Sequence, residues 1–127
     1  MNANQPVRAY DTFTTNLKGL PEGEYMTETL YSDDIPYKVV SRTATTATLQ
    51  KVLVKRDPDW KPAITRGGFA GHCTNQHEQT WLYAGLGPNT VTVRLVKSRY
   101  PDSDKLWGRK GREFIANGAV QHRDYNF

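Results

Sequence analysis

The chemistry of this chain gathers in two neighbouring stretches: Arg94, Lys97, Arg99 and Tyr100, then Lys105, Trp107, Arg109, Lys110, Arg112 and Phe114. Guanidinium and ammonium groups bind phosphate, and flat rings stack on bases. Arginine weighs more than lysine, because its planar fork grips an anion at two points. The expectation is that Arg94, Arg99, Arg109 and Arg112 hold phosphates, with Arg42 available from earlier in the chain. Trp107 and Tyr100 would stack on bases, and Asn75 and Asn117 would read base or ribose edges. Against this stands the plain reading in which Trp107 and Phe114 fill a core and the cations are solvated.

Other candidate motifs are weaker. "GHCTNQHE" places Cys73 between His72 and His77, with Glu78 beside them, but the spacing matches no strong zinc pattern. Cys73 and His77 would make a nucleophile and base, yet nothing supplies an orienting acid. Asp33 and Asp34 read as turn residues, since adjacent strand residues face opposite sides and cannot share a proton. "TRGGFAG" has glycines beside Arg66 but lacks the lysine and the strand–loop–helix setting of a phosphate loop. No cofactor or metal is expected, and the chain reads as a binder rather than an enzyme.

Composition sets the frame. The chain has 127 residues and is expected to form one β-rich domain over 1–127. Seven tyrosines, three tryptophans and four phenylalanines exceed what a small core needs, which points to planar surfaces at a binding site. One cysteine excludes an intramolecular disulfide. No stretch approaches a membrane span or a signal core, so a cytoplasmic protein is expected. The net charge of +4 is unevenly placed: −3 over residues 1–40, +3 over 41–93 and +4 over 94–127. Such asymmetry favours an anionic partner or a like molecule docking head to tail.

These residues need elements to position them. Residues 1–10 read as loosely held. "DTFTTNLKG" predicts a short helix capped at Asp11 and ended by Gly19, because Phe13 and Leu17 stand four apart. "EYMTETLYS" alternates as a strand. "YKVVSRT" and "ATLQKVLVK" make a hairpin about "TATT", with Tyr37, Val39 and Ser41 on one face and Lys38, Val40 and Arg42 on the other. Pro36 is expected at a strand start. Residues 57–76 read as a long functional or lid loop, in which Trp60, Ile64 and Phe69 want burial. "EQTWLYAG" and "NTVTVRLVKS" are read as two strands joined by "LGPN", and "KLWGRKGREFIANG" as one or two short strands. The sum is a mainly antiparallel β fold, a sandwich or a small barrel with about one short helix.

Two passages, "LYSDDIPYKVVSRTATTATLQ" and "NGAVQHRDYNF", resemble small phage proteins of the first Thoeris anti-defence family. The resemblance implies a β-rich homo-oligomer, a dimer or hexamer, that sequesters cyclic nucleotide immune signals without cleaving them. Two positions depart from the family pattern: an arginine expected after "YSD" is Asp34, and one expected after the late glycine is Ala119. Both departures remove a group suited to phosphate, which shifts the expected ligand away from the ADP-ribose type. Other functions compatible with the residues are a nucleic-acid-binding barrel and an inhibitor docking on a host defence complex such as CRISPR.

Overall fold

The computed structural model describes residues 15–65, 72–73, 75–96, 106–116 and 118–124. The strands are β1 (Leu17–Lys18), β2 (Tyr25–Thr29), β3 (Asp34–Arg42), β4 (Thr46–Arg56), β5 (Ile64–Thr65), β6 (His72–Cys73), β7 (Trp81–Val96), β8 (Leu106–Arg109) and β9 (Arg112–Ile115). Strands β2, β3, β4, β7, β8 and β9 each pair with the next, and β9 returns to pair with β2. The result is a closed six-stranded antiparallel barrel in up-and-down order. Closure leaves no free edge between these six. β1 runs parallel to the start of β7, and β5–β6 form a separate two-stranded insertion.

A barrel of six strands is too narrow to hold a ligand, so its own side chains fill it. Met26, Tyr37, Ala47, Leu49, Val93, Trp107 and Phe114 make that core, with Ile35, Val39 and Val91 packed against it. β7 alternates here: Val93 is buried while Thr92 and Arg94 are exposed. A second cluster uses the opposite face of the sheet, since Tyr25 alternates with Met26. It joins Leu17, Tyr25, Val52, Trp81 and Ala119, with Leu20, Val54, Tyr83 and Leu86 around them. β2 is therefore covered on both sides.

Several local expectations change. Leu17–Lys18 is a strand against Trp81 and Leu82, not the end of a helix; the start of that segment lies outside the described residues. The helical content described is one 3-10 turn, Gln76–Glu78. Pro36 lies inside β3, paired with Thr27, where pairing to β4 has not yet begun, so its missing N–H costs no ladder bond. The segment read as two strands with a turn at "LGPN" is one bent strand, because the whole of β4 pairs along it from Thr46↔Arg94 to Arg56↔Trp81. Between Gln50↔Thr90 and Val52↔Leu86 the β7 side carries extra residues, and the Gln50 amide donates to the Gly87 carbonyl at 2.6 Å. Proline at position 88 is tolerated in such a bulge.

The "TATT" hairpin forms as expected, with Thr43 N–H donating to the Thr46 carbonyl at 2.8 Å. Its facing differs. A register shift between Val39 and Ser41 inserts an extra residue, so Arg42 pairs with the buried Ala47 and joins the Val39 face. Of residues 57–76, Asp57 and Trp60 are buried as part of the fold, whereas Ile64 is 57% exposed, against expectation. Residues 66–71, including Arg66 and Phe69, lie outside the described set.

The segment 118–124 crosses the outer face of β2. Side chains hold it more than ladder bonds do. Asn16 donates to the Gln121 carbonyl at 2.6 Å and accepts from its N–H at 3.0 Å. Gln79 does the same for Arg123, at 2.6 and 3.1 Å. Thr27 donates to Gly118 O at 2.7 Å, and Asp33 accepts from Asp124 N–H at 2.8 Å. Asp33 thus bonds an amide far along the chain rather than a neighbour in its own turn. No helix among the described residues is long and apolar enough to cross a membrane.

Candidate functional site

The two ends of the barrel divide the candidate cations. The β3–β4 hairpin stands at one end and the β8–β9 hairpin at the other, because turns alternate in an up-and-down barrel. Arg42 belongs to the first end. It is ion-paired with Glu24, and its guanidinium lies 5.8 Å from the Trp107 ring centre. Arg109 and Arg112 belong to the second. Among the described residues, the candidate cations therefore do not converge in one hollow. Arg99, Tyr100 and Asn117 lie outside the described residues.

Trp107 is not a stacking platform. It is 1% exposed at the centre of the barrel, in register with Phe114 on β9 and Leu95 on β7. The plain reading of Trp107 and Phe114 as core is the correct one for both. Asn75 is structural as well: it accepts from Ala63 N–H at 2.7 Å and donates to the Lys61 carbonyl at 2.9 Å. Cys73 is buried and its thiol lies 3.5 Å from the Asn75 oxygen, while His77 is exposed beside Glu78. Among the described residues no three His, Cys, Asp or Glu side chains gather to hold a metal.

Arg112 has a partner that sequence reasoning missed. Glu28 is buried at 4% exposure on the inward face of β2. Arg112 donates to its carboxylate from Nε at 2.6 Å and from Nη2 at 3.0 Å. Tyr37 donates to the same carboxylate at 2.9 Å, and Arg112 also donates to the Tyr37 oxygen at 2.9 Å. Phe114 packs below, edge-on to Tyr37 at 5.2 Å. Burial pushes the Glu28 carboxyl up, but the Arg112 and Tyr37 hydrogen bonds outweigh it and hold the carboxyl below its usual range. Burial, then Glu28, pushes the Tyr37 hydroxyl up to about 12. This network plugs the barrel end, and Arg112 is 41% exposed above it. The signal in the sequence was Glu28 among the apolar residues of a strand, which alternation alone gives to either face.

Around this plug the β8–β9 hairpin shapes an open cleft of about 350 Å³, lined by Val96, Leu106, Trp107, Gly108 and the turn residues Arg109 to Glu113. The turn is tight: Arg109 pairs with Arg112, and both Lys110 and Gly111 have positive φ, 47° and 80°. That is the geometry of a two-residue primed turn, which matches the twist of the flanking strands. Glycine adopts it freely; Lys110 does so at a cost of about 1 kcal/mol. Arg109 reaches back to the Thr92 carbonyl at 3.2 Å, where the β7–β8 ladder has ended. Arg94 is exposed on β7, directly in register with Gly108.

Both positions where the chain departs from the resembled pattern now have a setting. Ala119 is 1% exposed within the second core cluster, so an arginine there would displace core. Asp34 exchanges backbone hydrogen bonds with His122, each at 3.0 Å, and is drawn into the tail contact. Comparison of the chain with protein-family models, with curated proteins and with solved structures finds no match.

Proposed function

We propose that this protein is a non-enzymatic binder of a phosphate-bearing, nucleotide-like small molecule, which it sequesters without cleaving it, as an anti-defence sponge for cyclic nucleotide signals does. The observation that carries the reading is the β8–β9 cleft. It sets Arg109 and Lys110 beside a wall of Val96 and Leu106, with the Arg112 guanidinium held by Glu28, so charge and apolar surface adjoin. Phosphate takes the first and a ring the second. The filled barrel interior supports a site on the outside of the wall rather than a buried one. The left-handed Lys110 supports it too, because a strained position at a hairpin tip is where function competes with stability.

Thermal unfolding with a panel of cyclic dinucleotides, cyclic trinucleotides and cyclic ADP-ribose isomers tests the proposal. A member of the panel should raise the melting temperature, and heat denaturation should release it intact. Lys110→Glu should abolish the shift. A panel that gives neither a shift nor recoverable ligand overturns the reading. Binding of single-stranded nucleic acid that weakens steeply with salt would replace it with a nucleic-acid groove.

A further inference from the structure

We infer that the cleft prefers a guanine-type base, one whose edge carries two adjacent N–H donors, and that Glu113 reads that edge. The inference rests on the proposed phosphate-bearing ligand and adds the identity of the base.

The argument starts from one row across three strands. Arg94 on β7 is in register with Gly108 on β8, and Gly108 with Glu113 on β9. Residues in register share a face of the sheet, so a cation, a residue without a side chain and a carboxylate lie side by side on the outer wall. Two strand spacings separate the ends of this row by about 10 Å, comparable with the length of a nucleoside monophosphate. The next row is apolar: Val96, Leu106 and Ile115 are likewise in register. Gly108 itself carries no side chain, and Val96 leans across it to form an apolar floor between the two charged residues. A Cβ built on it would stand 3.0 Å from Val96 Cγ2 and 3.3 Å from the Arg112 carbonyl.

Glu113 is the residue the cation reading leaves unexplained. It is exposed, it lines the cleft beside three cations, and no hydrogen bond or ion pair engages its carboxylate among the described residues. The nearest guanidinium in sequence, Arg112, is committed to Glu28. A lone carboxylate weakens binding of phosphate, so a pure anion site would be better without it. A carboxylate accepts hydrogen bonds and donates none when ionised. Guanine presents N1–H and N2–H side by side, which suits both carboxylate oxygens. Adenine sets an acceptor beside its one amine and mismatches. A ligand laid along the row would place its phosphate toward Arg94, its ring against Val96 and Leu106 and its base edge on Glu113, with Lys110 at the hairpin tip adding positive charge.

Calorimetric titration with GMP, AMP, ribose 5-phosphate, cyclic di-GMP and cyclic di-AMP tests this. The guanine member of each pair should bind about tenfold to a hundredfold more tightly, the range that a bidentate edge contact gives. Glu113→Gln, an exposed change whose melting temperature should be unaltered, should erase the preference, with adenine ligands binding more tightly once the carboxylate's charge is gone. Val96→Ala, at an exposed position of the apolar row, should weaken every ring-bearing ligand and leave ribose 5-phosphate unchanged. Should guanine and adenine ligands bind alike, or should Glu113→Gln leave a guanine preference intact, the inference is overturned and the phosphate cleft stands. Should none of the five bind, nor any of the wider cyclic panel, the cleft itself is overturned.

Discussion

Glu28 and Arg112 show how a residue's type misleads until its partner is known. Arg112 looked like a phosphate ligand, yet it is bonded twice to a buried carboxylate. Removing it leaves that carboxylate short of donors in a nearly dry site. Arg112→Ala should cost about 2 kcal/mol, reduced from the value for a fully buried pair because the guanidinium is partly solvated. Chemical denaturation would measure it, and adding Glu28→Gln should restore part of the loss. Asp57 follows the same logic. It accepts from Lys18 at 2.7 Å, Thr80 at 2.6 Å and the Asp59 N–H at 3.0 Å. The Lys18 contact first, then Thr80 and the Asp59 amide, depress its carboxyl to about 2. An aspartate whose folded pKa lies below its unfolded value of about 3.9 stabilises the fold above that value. The contribution is lost as pH falls from about 4 toward 2. Wild-type melting temperatures should drop over that window, and Asp57→Asn should flatten the drop.

At the scale of elements, alternation located the strands but not their phase. The register shift after Val39 moved Arg42 to the face of Val39 and Ala47, and no propensity rule marks an inserted residue in "KVVSRT". The β7 bend was invisible for a related reason. "LGPN" has the composition of a turn, and only the continuous pairing of β4 makes it a bulge. The β8–β9 segment was legible as one or two short strands, but its reversal at "RKGR" was not, because the left-handed Lys110 and Gly111 are seen only in the structure. The same hairpin carries a prediction. Lys110→Gly should relieve the left-handed backbone and raise stability by about 1 kcal/mol, while loosening the phosphate-bearing ligand. Parallel unfolding and binding curves would show the two effects opposed. A variant that gained stability and kept full affinity would remove Lys110 from the site.

For the whole molecule, the β class and barrel option followed from many short alternating runs, and the candidate site did not follow nearly so well. The cations were legible as RKGR beside Trp107, though not as a hairpin. Glu113, Gly108 and the Glu28 plug were not, because each acquires meaning only from a neighbour on another strand. The core itself is small and tightly filled. Leu49 is fully buried among Met26, Val93 and Trp107, so Leu49→Ala should cost about 3 kcal/mol. Denaturant midpoints would report it, and a loss under 1 kcal/mol would mean that the barrel interior collapses readily around a void.

The pairing of β9 with β2 has a kinetic consequence. These strands join residues nearly the whole described chain apart, Thr27 with Ile115. A nascent chain holding β2 through β8 is an open sheet with two unsatisfied borders, Met26 and Phe114 not yet in contact across the gap. Native seclusion of the apolar interior must await synthesis of the last strand. Such distant partners make for slow acquisition of the native state, in milliseconds to seconds rather than microseconds, and for exposure to chaperones or to a second half-made copy in the meantime.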